Sequence, residues 1–222
     1  SGKTPNAYQS YVVELGDIPG QDVDALLINN ELVTIGTTPH PDYGYPLEGK
    51  YAGYAWVKIY DGTQTVADPM LVDKYGSFPE RPWNSNMVGA GIPYLILTCL
   101  LNRELLKSDP NIRVVTNGIP LYDPRKDDTV GGSGTHRWDD KSTWEPSSNN
   151  IVQAFNIMRG IELPSGDIWG GEIELEDLPL NNWMAGMNAC DASIAREGGG
   201  SEPAFRSGIE VFVTDLPVDL LL

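Results

Sequence analysis

The alternation of apolar and polar residues predicts β-strands in the first third of the chain. Residues 8–15 and 25–29 alternate in this way, and the turn at 16–20 joins them. Asn29-Asn30 is a tight-turn pair that leads into a third strand at 31–35. The pattern therefore predicts an antiparallel meander at the start of the chain.

Two further strands and one short helix are predicted before residue 102. Residues 56–60 alternate as a half-buried strand, whereas the apolar run at 92–101 predicts a strand that is buried on both faces. Asp68 followed by Pro69 is typical of a helix start, with Asp68 as the N-cap of a helix at 69–75. Residues 36–55 are rich in Pro, Gly and Tyr, which predicts a long irregular surface loop.

The middle of the chain predicts a β-hairpin followed by a long loop. Asn117-Gly118 suits a type I′ turn, which would place Val114 opposite Leu121 and build a hairpin over residues 112–121. The following segment, 126–150, is rich in Gly, Asp and Ser, so we expect a surface loop.

Apolar residues then recur at helical spacing. Ser148 or Asn149 suits the N-cap of a helix that ends at Gly160. A second helix is predicted over residues 181–195. The apolar stripes of the two helices are Ile151, Val152, Phe155 and Met158 in the first, and Trp183, Met187, Cys190 and Ile194 in the second.

The change from strand to helix spacing near residue 110 predicts an α+β, β-rich fold with two lobes. Residues 1–110 form an antiparallel β lobe, and residues 111–222 form an α+β lobe with two amphipathic helices. A strand at 209–213 and the start of a third helix at 217–222 complete the second lobe. Since the chain begins without Met and stops inside that helix, we expect an internal fragment of a longer protein.

Composition narrows the class of protein. With 222 residues and 41% hydrophobic residues, the chain is long enough to form real cores without a metal or disulfides. Cys99 and Cys190 lie in apolar surroundings without zinc-site spacing, so we expect two buried thiols. No apolar run is long enough to predict a membrane span.

The net charge of −16 disfavours a nucleic-acid-binding role. Like charge removes the release of counterions that makes phosphate binding favourable. We therefore expect neither sequence-specific nucleic acid nor an anionic membrane as a partner.

Motifs for catalysis, cofactors and metals are weak. The glycine run Gly131–Gly134 lacks the spacing of a phosphate-binding loop, and the pairs Asp127-Asp128 and Asp139-Asp140 lack the order of a calcium loop. His40 and His136 stand in separate loops without triad or ligand spacing. We therefore predict no enzyme activity, no cofactor and no metal.

Tryptophans in predicted loops are the candidate contact residues. Aromatic side chains in loops suit contacts with a partner, or a platform on which sugars stack. The alternative function is thus a carbohydrate-binding or glycan-degrading module, with a pair of carboxylates chosen from the 31 acidic residues. The four candidate contact residues are Trp83, Trp138, Trp144 and Trp169.

Several segments, in order, resemble the central tail-tip proteins of tailed phages, the lambda J-like host-specificity or baseplate hub family. The segments are NIRVVTNGIPLYDPRKDD, THRWDD, TWEPSSNN, IVQAFNIMRGIEL, LPLNNWMAGMNACDASI and FRSGIEVFVTDLPVDLLL, with KYAGYAWVKIYDGTQTVADPMLVDKYG and GIPYLILTCLLNRE upstream. Together they cover most of residues 8–222. Residues 148–151 depart from the family's Asn-Pro at the helix start.

The resemblance implies a structural virion protein. It implies a homotrimeric hub at the distal end of a phage or prophage tail, in contact with the distal tail protein and the tape-measure protein, and it implies no catalytic residue. Assembly of the tail, host attachment and passage of DNA are the expected roles. The location implied is the virion tail tip, after synthesis in the bacterial host cytoplasm.

Overall fold

The computed structural model describes residues 7–102, 104–106, 108–208, 210–211 and 214. The chain divides into two compact units, residues 1–116 and residues 117–222. The sequence pattern placed this boundary at residue 110, six residues earlier. Both units combine helices with mostly antiparallel strands, and the fold is α+β and β-rich, as predicted.

Unit 1 contains seven strands and one α-helix among its described residues. Its elements are β1 (Tyr8–Glu14), β2 (Val23–Ile28), β3 (Glu31–Val33), β4 (Tyr45–Pro46), β5 (Ala55–Asp61), α1 (Pro69–Tyr75), β6 (Pro93–Leu100) and β7 (Ile112–Thr116).

Unit 2 has shorter strands and two longer helices in its described part. Its elements are β8 (Pro120–Leu121), β9 (Glu145–Pro146), α2 (Asn150–Arg159), β10 (Ile161–Glu162), β11 (Ile168–Trp169), α3 (Leu180–Cys190), β12 (Ser193–Ala195) and β13 (Ser201–Pro203).

A four-stranded antiparallel sheet of order β1-β6-β5-β4 is the centre of unit 1. Its strand β6 is buried on both faces, as its continuous apolar run predicted. Leu95 and Leu97 face one cluster of apolar side chains, whereas Tyr94 and Ile96 face a second cluster formed with Met70 of α1. The sheet therefore has apolar packing on both sides.

The second sheet of unit 1 has the order β3-β2-β7. Asn29 and Asn30 join β2 to β3, and both have positive φ angles, 55° and 65°, as a type I′ turn requires. This predicted turn is confirmed. Leu26 and Ile28 of β2 are buried and pack in the same cluster as Leu95 and Leu97.

The predicted meander is wrong in its first pairing, although β2 and β3 pair as predicted. Strand β1 pairs with β6, whereas β2 pairs with β3 and β7, so the first two strands belong to different sheets. Long-range pairing prevails because β6 offers β1 seven consecutive partners and buries the strand's inner face.

The predicted hairpin at 112–121 is also wrong. Strand β7 pairs with β2, placing Val114 opposite Leu26, while Pro120 and Leu121 pair with β9. The physical reason is that pairing with β2 packs Ile112 and Val114 against the first cluster of unit 1, whereas Pro120 has no N–H to donate to a hairpin ladder.

Residues 36–55 were predicted to be a surface loop, and this is wrong in part. The segment contains β4 and a 3₁₀ turn at Gly49–Tyr51. Leu47 and Tyr51 are buried in the first cluster of unit 1. The burial of Leu47 and Tyr51 was not predicted, because the prolines and glycines around them interrupt the regular spacing of apolar residues on which the prediction depends.

Helix α1 has the predicted bounds and cap. The Oδ1 atom of Asp68 accepts a hydrogen bond from the Leu71 N–H at 2.8 Å, and Pro69 occupies the first helical position. The predicted N-cap of this helix is confirmed.

Helix α2 is confirmed from its cap to its last residue. Asn149 caps it by accepting hydrogen bonds from the N–H groups of Ile151 and Val152, and Gly160 follows its last residue with φ of 96°. Val152 and Phe155 are buried, as their stripe predicted.

Helix α3 ends at Cys190, five residues before the predicted end. Trp183, Met187 and Cys190 follow the predicted stripe, but Ile194 lies in β12 and is exposed. Glycines between β12 and β13 allow a hairpin there, with Gly199 and Gly200 at positive φ angles. The strand predicted at 209–213 and the helix predicted at 217–222 lie outside the described residues.

Candidate functional site

Tyr122, directly after β8, is the centre of a polar and aromatic cluster in unit 2. Its side chain is buried, and its backbone is paired with the side-chain amide of Asn156 on α2. The Asn156 Oδ1 accepts from the Tyr122 N–H at 3.0 Å, and Nδ2 donates to the Tyr122 carbonyl at 2.8 Å. The Asn156 amide thus supplies the two hydrogen bonds that a neighbouring strand would otherwise make, and it holds Tyr122 against α2.

Asp127 holds the hydroxyl end of Tyr122. Its carboxylate accepts from the Tyr122 hydroxyl at 2.7 Å, from the Thr129 hydroxyl at 2.6 Å and N–H at 2.8 Å, and from Arg137 Nη1 at 3.0 Å. Burial opposes ionisation, but the bonds from Thr129 and Tyr122 and the charge of Arg137 outweigh it and lower the pKa of Asp127. Burial, followed by the bond to Asp127, raises the pKa of Tyr122.

Three of the four acidic residues in the pairs singled out in the sequence, Asp127, Asp128 and Asp140, are bound within the unit. Asp128 accepts from Arg137 Nη2 at 2.7 Å, and Asp140 caps the 3₁₀ turn at Lys141–Thr143 by accepting from Ser142. Within the described residues, no group of three or more His, Cys, Asp and Glu side chains lies close enough to hold a metal ion.

The glycine run Gly131–Gly134 packs on the 3₁₀ turn at Pro124–Lys126. The Ser133 N–H donates to the Arg125 carbonyl at 2.8 Å, and a Cβ on Gly132 would lie 2.4 Å from the Pro124 carbonyl oxygen. A Cβ on Gly134 would likewise lie 2.6 Å from the Lys126 carbonyl oxygen, so close backbone contact accounts for two of the three glycines in this run.

Residues 126–150 were predicted to be a surface loop, and in part this is wrong. Asp127 and His136 of this segment are buried. His136 Nδ1 accepts a hydrogen bond from the Asp123 N–H at 3.2 Å, which requires the neutral ring. Burial is the main cause that lowers the pKa of His136.

A salt-bridge network connects residues 123–125 to α3 and to Asp191, which follows it. Asp123 is buried and receives two guanidinium nitrogens of Arg125, the closer at 2.7 Å. The remaining nitrogen of Arg125 contacts Asn188 at 3.1 Å and Asp191 at 2.8 Å. The planar guanidinium group suits such bidentate contacts.

Two of the four predicted contact tryptophans lie together in this cluster. The rings of Trp138 and Trp144 are 5.4 Å apart, and Trp138 meets Tyr122 edge-on at 5.4 Å. Both are half-buried against the core of unit 2, and Trp144 Nε1 donates to the Arg137 carbonyl at 2.7 Å. Contact with a partner stays a prediction for both.

The other two predicted contact tryptophans, Trp83 and Trp169, lie outside this cluster. Trp83 belongs to unit 1, where it packs beside Met70 and Tyr94. Trp169 is in β11, opposite Ile161. Partner contact by Trp83 and Trp169 also stays a prediction.

Arg159, at the end of α2, was not identified from the sequence. Its guanidinium lies 4.3 Å from the centre of the Trp138 ring, and Nη1 donates to the Ile173 carbonyl at 3.0 Å. The side chain is only 9% exposed. A basic residue in the last helical turn usually interacts with the helix end, so its place beside a tryptophan had no signal in the sequence.

A surface cavity of about 230 Å³ lies beside this cluster. Its lining includes Tyr122, Asp127, Arg137, Trp138, Arg159 and Leu175. The cavity therefore combines apolar walls with two guanidinium groups, and it is the candidate binding site of unit 2.

Unit 1 carries an aromatic cluster on one sheet face. Tyr43 stacks with both Tyr8, at 5.0 Å between ring centres, and His40, at 4.6 Å, and Trp56 is tilted against all three rings. Tyr8 is 41% exposed. Sequence reasoning missed this cluster because its members come from two strands and a loop that only the sheet brings together.

Beside it, Asp68 is fully buried. Its Oδ2 accepts from Lys58 Nζ and from the Tyr60 hydroxyl, both at 2.6 Å, in addition to its helix-capping bond. Burial is the main cause that raises the pKa of Tyr60, and the bond to Asp68 adds to it. This carboxylate anchors α1 on the sheet.

Comparisons of the chain with protein-family models, with curated proteins and with solved structures found no match. Among the residues that the structure describes, no helix is both long and apolar enough to cross a membrane.

Proposed function

We propose that this chain is a structural part of a bacteriophage or prophage tail tip, of the central hub or host-specificity class. The observation that carries the proposal is the ordered resemblance of segments across residues 8–222 to that family. As in such hubs, it assembles as a homotrimer in the full-length protein and contacts the distal tail and tape-measure proteins. Its place is the virion tail tip.

The internal use of the acidic side chains supports a scaffold over a catalyst. Asp68, Asp123 and Asp127 are buried, and each is held by a cation and by further hydrogen bonds. Carboxylates bound in this way stabilise the fold, and their oxygens are already occupied by partners within the protein.

The net charge suits a role in DNA passage. If the acidic surface lines the lumen of the tail, it repels the phosphates of passing DNA. A trimer structure with its acidic residues on the outer surface, away from the lumen, would contradict this part of the proposal.

The test is to locate the chain on particles. Antibodies raised against the purified chain are gold-labelled and applied to tailed particles induced from the source bacterium. We expect gold at the distal tip of the tail and peptides of the chain in the purified particles. Labelling on the head or tail tube, or particles without these peptides, would contradict the proposal.

A carbohydrate-binding module is the second candidate, and the aromatic cluster of unit 1 favours it. Tyr8, His40, Tyr43 and Trp56 form an aromatic surface on which a sugar ring can stack. Titration of neutral oligosaccharides, followed by tryptophan fluorescence, tests this function. Tyr8→Ala should weaken binding, while Tyr54→Ala, at an exposed tyrosine with no place in the cluster, should not.

A further inference from the structure

The outer strand of the four-stranded sheet in unit 1 has a free edge. Strand β1 is at the end of the order β1-β6-β5-β4 and, among the described strands, pairs with β6 alone. No residue of β1 is buried, whereas every residue of β6 except the last is buried. An edge strand of this kind presents a row of backbone N–H and carbonyl groups with which a further strand can pair.

The ladder with β6 determines which backbone groups lie at the free edge. The Leu101 N–H donates to the Ala7 carbonyl at 2.7 Å, and the Leu15 N–H donates to the Pro93 carbonyl at 2.9 Å. Hydrogen-bonded and non-hydrogen-bonded residues alternate in an antiparallel pair, so the odd-numbered residues of β1 bond to β6. The N–H and carbonyl groups of the even-numbered residues therefore point away from β6. These residues are Tyr8, Ser10, Val12 and Glu14.

Strand β1 lacks most of the features that prevent a sheet edge from accepting another strand. Such features are short length, proline, bulges and lysine. Strand β1 has seven residues without proline or lysine, and its register with β6 is continuous. At the opposite edge of the sheet, β4 has only two residues, and one of them is Pro46. Of the two edges, β1 is therefore the one on which an extended segment can form a long ladder.

The charges beside β1 are acidic. Glu14 is exposed, and burial, followed by the hydrogen bond and the charge of Asp17, raises its pKa. The exposed Asp109 accepts from the Tyr11 hydroxyl at 2.8 Å and from Gln9 Nε2 at 3.4 Å. Among the described residues, no salt bridge includes Glu14, Asp17 or Asp109. This local charge favours a basic partner over a second copy of the chain, which would add a further net charge of −16.

We propose that the free edge of β1 binds an extended segment of a basic partner protein, which adds a strand to the sheet. The backbone of the segment pairs with the outward N–H and carbonyl groups of β1, as in other cases of strand addition. Tyr8 and Val12, each 41% exposed on the same face of β1, contact apolar side chains of the segment, and a Lys or Arg pairs with Glu14. Binding of such a segment does not depend on whether the chain is part of a tail tip.

The experiment uses the whole chain and a fluorescent peptide of the sequence KTVKTTV. In the antiparallel register its first lysine lies opposite Glu14, and its valines lie opposite Val12 and Tyr8. The peptide ETVETTV has the same valines but the opposite charge, and it is the control. We expect KTVKTTV to bind with a dissociation constant on the order of 100 μM by fluorescence anisotropy, and ETVETTV to bind about tenfold more weakly or less. At saturating KTVKTTV, hydrogen exchange of the Val12 N–H should slow about tenfold.

Two variants separate the backbone from the charge. Val12→Pro removes an outward N–H that takes no part in the ladder with β6, so it should weaken binding about tenfold or more while exchange of the Val13 amide stays slow. Glu14→Lys keeps the backbone edge and should abolish the preference for KTVKTTV over ETVETTV. Glu48→Lys makes the same change in net charge at an exposed residue beside β4, on the opposite edge of the sheet, and should keep the preference.

The proposal is overturned if KTVKTTV gives no protection of the Val12 N–H, if ETVETTV binds equally well, or if Glu14→Lys keeps the preference. It is also overturned if Val12→Pro binds as tightly as the unchanged chain. If Val12→Pro loses the slow exchange of the Val13 amide, Glu14→Lys decides. Light scattering tests the other occupant: a dimer of the free chain in which the Val12 N–H is already protected would assign the edge to a second copy and overturn the proposal.

Discussion

The two units bury their polar groups in different ways. Unit 1 has a largely aliphatic interior between two sheets, and its buried polar residues are Gln21, Asp68 and Thr98. Unit 2 has ladders of only two or three residues per strand, and its buried polar residues are Asp123, Asp127, His136, Asn149 and Asn156. Where regular ladders are short, side chains take over the pairing of backbone groups, as Asn156 does for Tyr122.

One arrangement occurs in both units. Asp68 binds Lys58 and the Tyr60 hydroxyl, and Asp127 binds Arg137 and the Tyr122 hydroxyl. Asp68 anchors a helix on a sheet, whereas Asp127 anchors a segment without regular structure next to a cavity. In both units a buried carboxylate that binds a cation and a tyrosine hydroxyl holds two parts of the fold together. Only the carboxylate of unit 2, Asp127, also lines the candidate binding cavity.

The largest expected loss of stability comes from a substitution in the aliphatic core of unit 1. Leu97 on β6 is fully buried, so Leu97→Ala should lower the free energy of unfolding by about 2–5 kcal/mol. Hydrogen exchange of the β6 amides is the measurement. Leu32→Ala, at a residue 74% exposed, is the control and should change stability by less than about 0.5 kcal/mol. Equal effects of the two changes would contradict the assigned core.

The second largest expected loss of stability comes from removing the Asn156 side chain, which pairs with the Tyr122 backbone in unit 2. Asn156→Ala leaves the Tyr122 N–H and carbonyl without their partners, which should cost at least about 2 kcal/mol because each buried orphan group costs about 1–3 kcal/mol. Urea unfolding and exchange of the Tyr122 amide measure it. Asn181→Ala, at an exposed asparagine of α3, should have little effect. An unchanged exchange rate at Tyr122 would rule out this role of the amide.

The third prediction tests the positive φ angle of Asn30 in the β2–β3 turn. Asn30 has φ of 65°, a region that β-branched residues avoid, so Asn30→Val should cost about 1–2 kcal/mol. Asn30→Gly is the matched control and should stay within about 0.5 kcal/mol of the unchanged chain. Thermal unfolding followed by circular dichroism compares the two. A valine variant as stable as the glycine variant would disprove the turn geometry.

The smallest effect is a pH dependence that belongs to unit 2. Burial holds the pKa of His136 below its ordinary value, so the unfolded chain binds a proton at a higher pH than the folded one. Stability from neutral His136 is therefore complete above about pH 6.5 and declines as the pH falls below it, by at most about 1.4 kcal/mol per unit of pKa difference.

The measurement is the urea midpoint at pH 7.5 and at pH 5.5. His136→Gln keeps an acceptor for the Asp123 N–H but does not titrate, so its midpoint should change less between the two pH values. His40→Gln in unit 1 is the matched control. A shift that survives in full in His136→Gln would assign the pH dependence to other groups.

Local signals predicted the regular elements well. The cap at Asp68, the cap at Asn149 and the Asn29-Asn30 turn each depend on neighbouring residues alone, and all three are confirmed. Pairing over long distances was missed, because whether β7 pairs with β2 or forms a local hairpin depends on strands that are distant in sequence. That choice involves residues about 90 positions apart, and no local pattern contains it.

The candidate site was predicted only in its aromatic part. Trp138 and Trp144 stood out as tryptophans in a polar segment, and the structure places them together. Arg159 and the partners of Asp127 had no signal, since their roles depend on side chains from a helix, a turn and a loop meeting at one point.

The sequence by itself determined the α+β class, the three caps and turns, the buried strand β6 and the apolar stripes of α2 and α3. These features depend on the period of apolar residues and on the φ preferences of Asn, Gly and Pro, which act over a few positions. Only the tertiary structure decided the strand order, the burial of Asp127 and His136, and the cavity beside Arg159. Each of these features depends on residues that are distant in sequence and pack together to exclude water. The contribution of a charge or a hydrogen bond to stability is set by its burial and its partners.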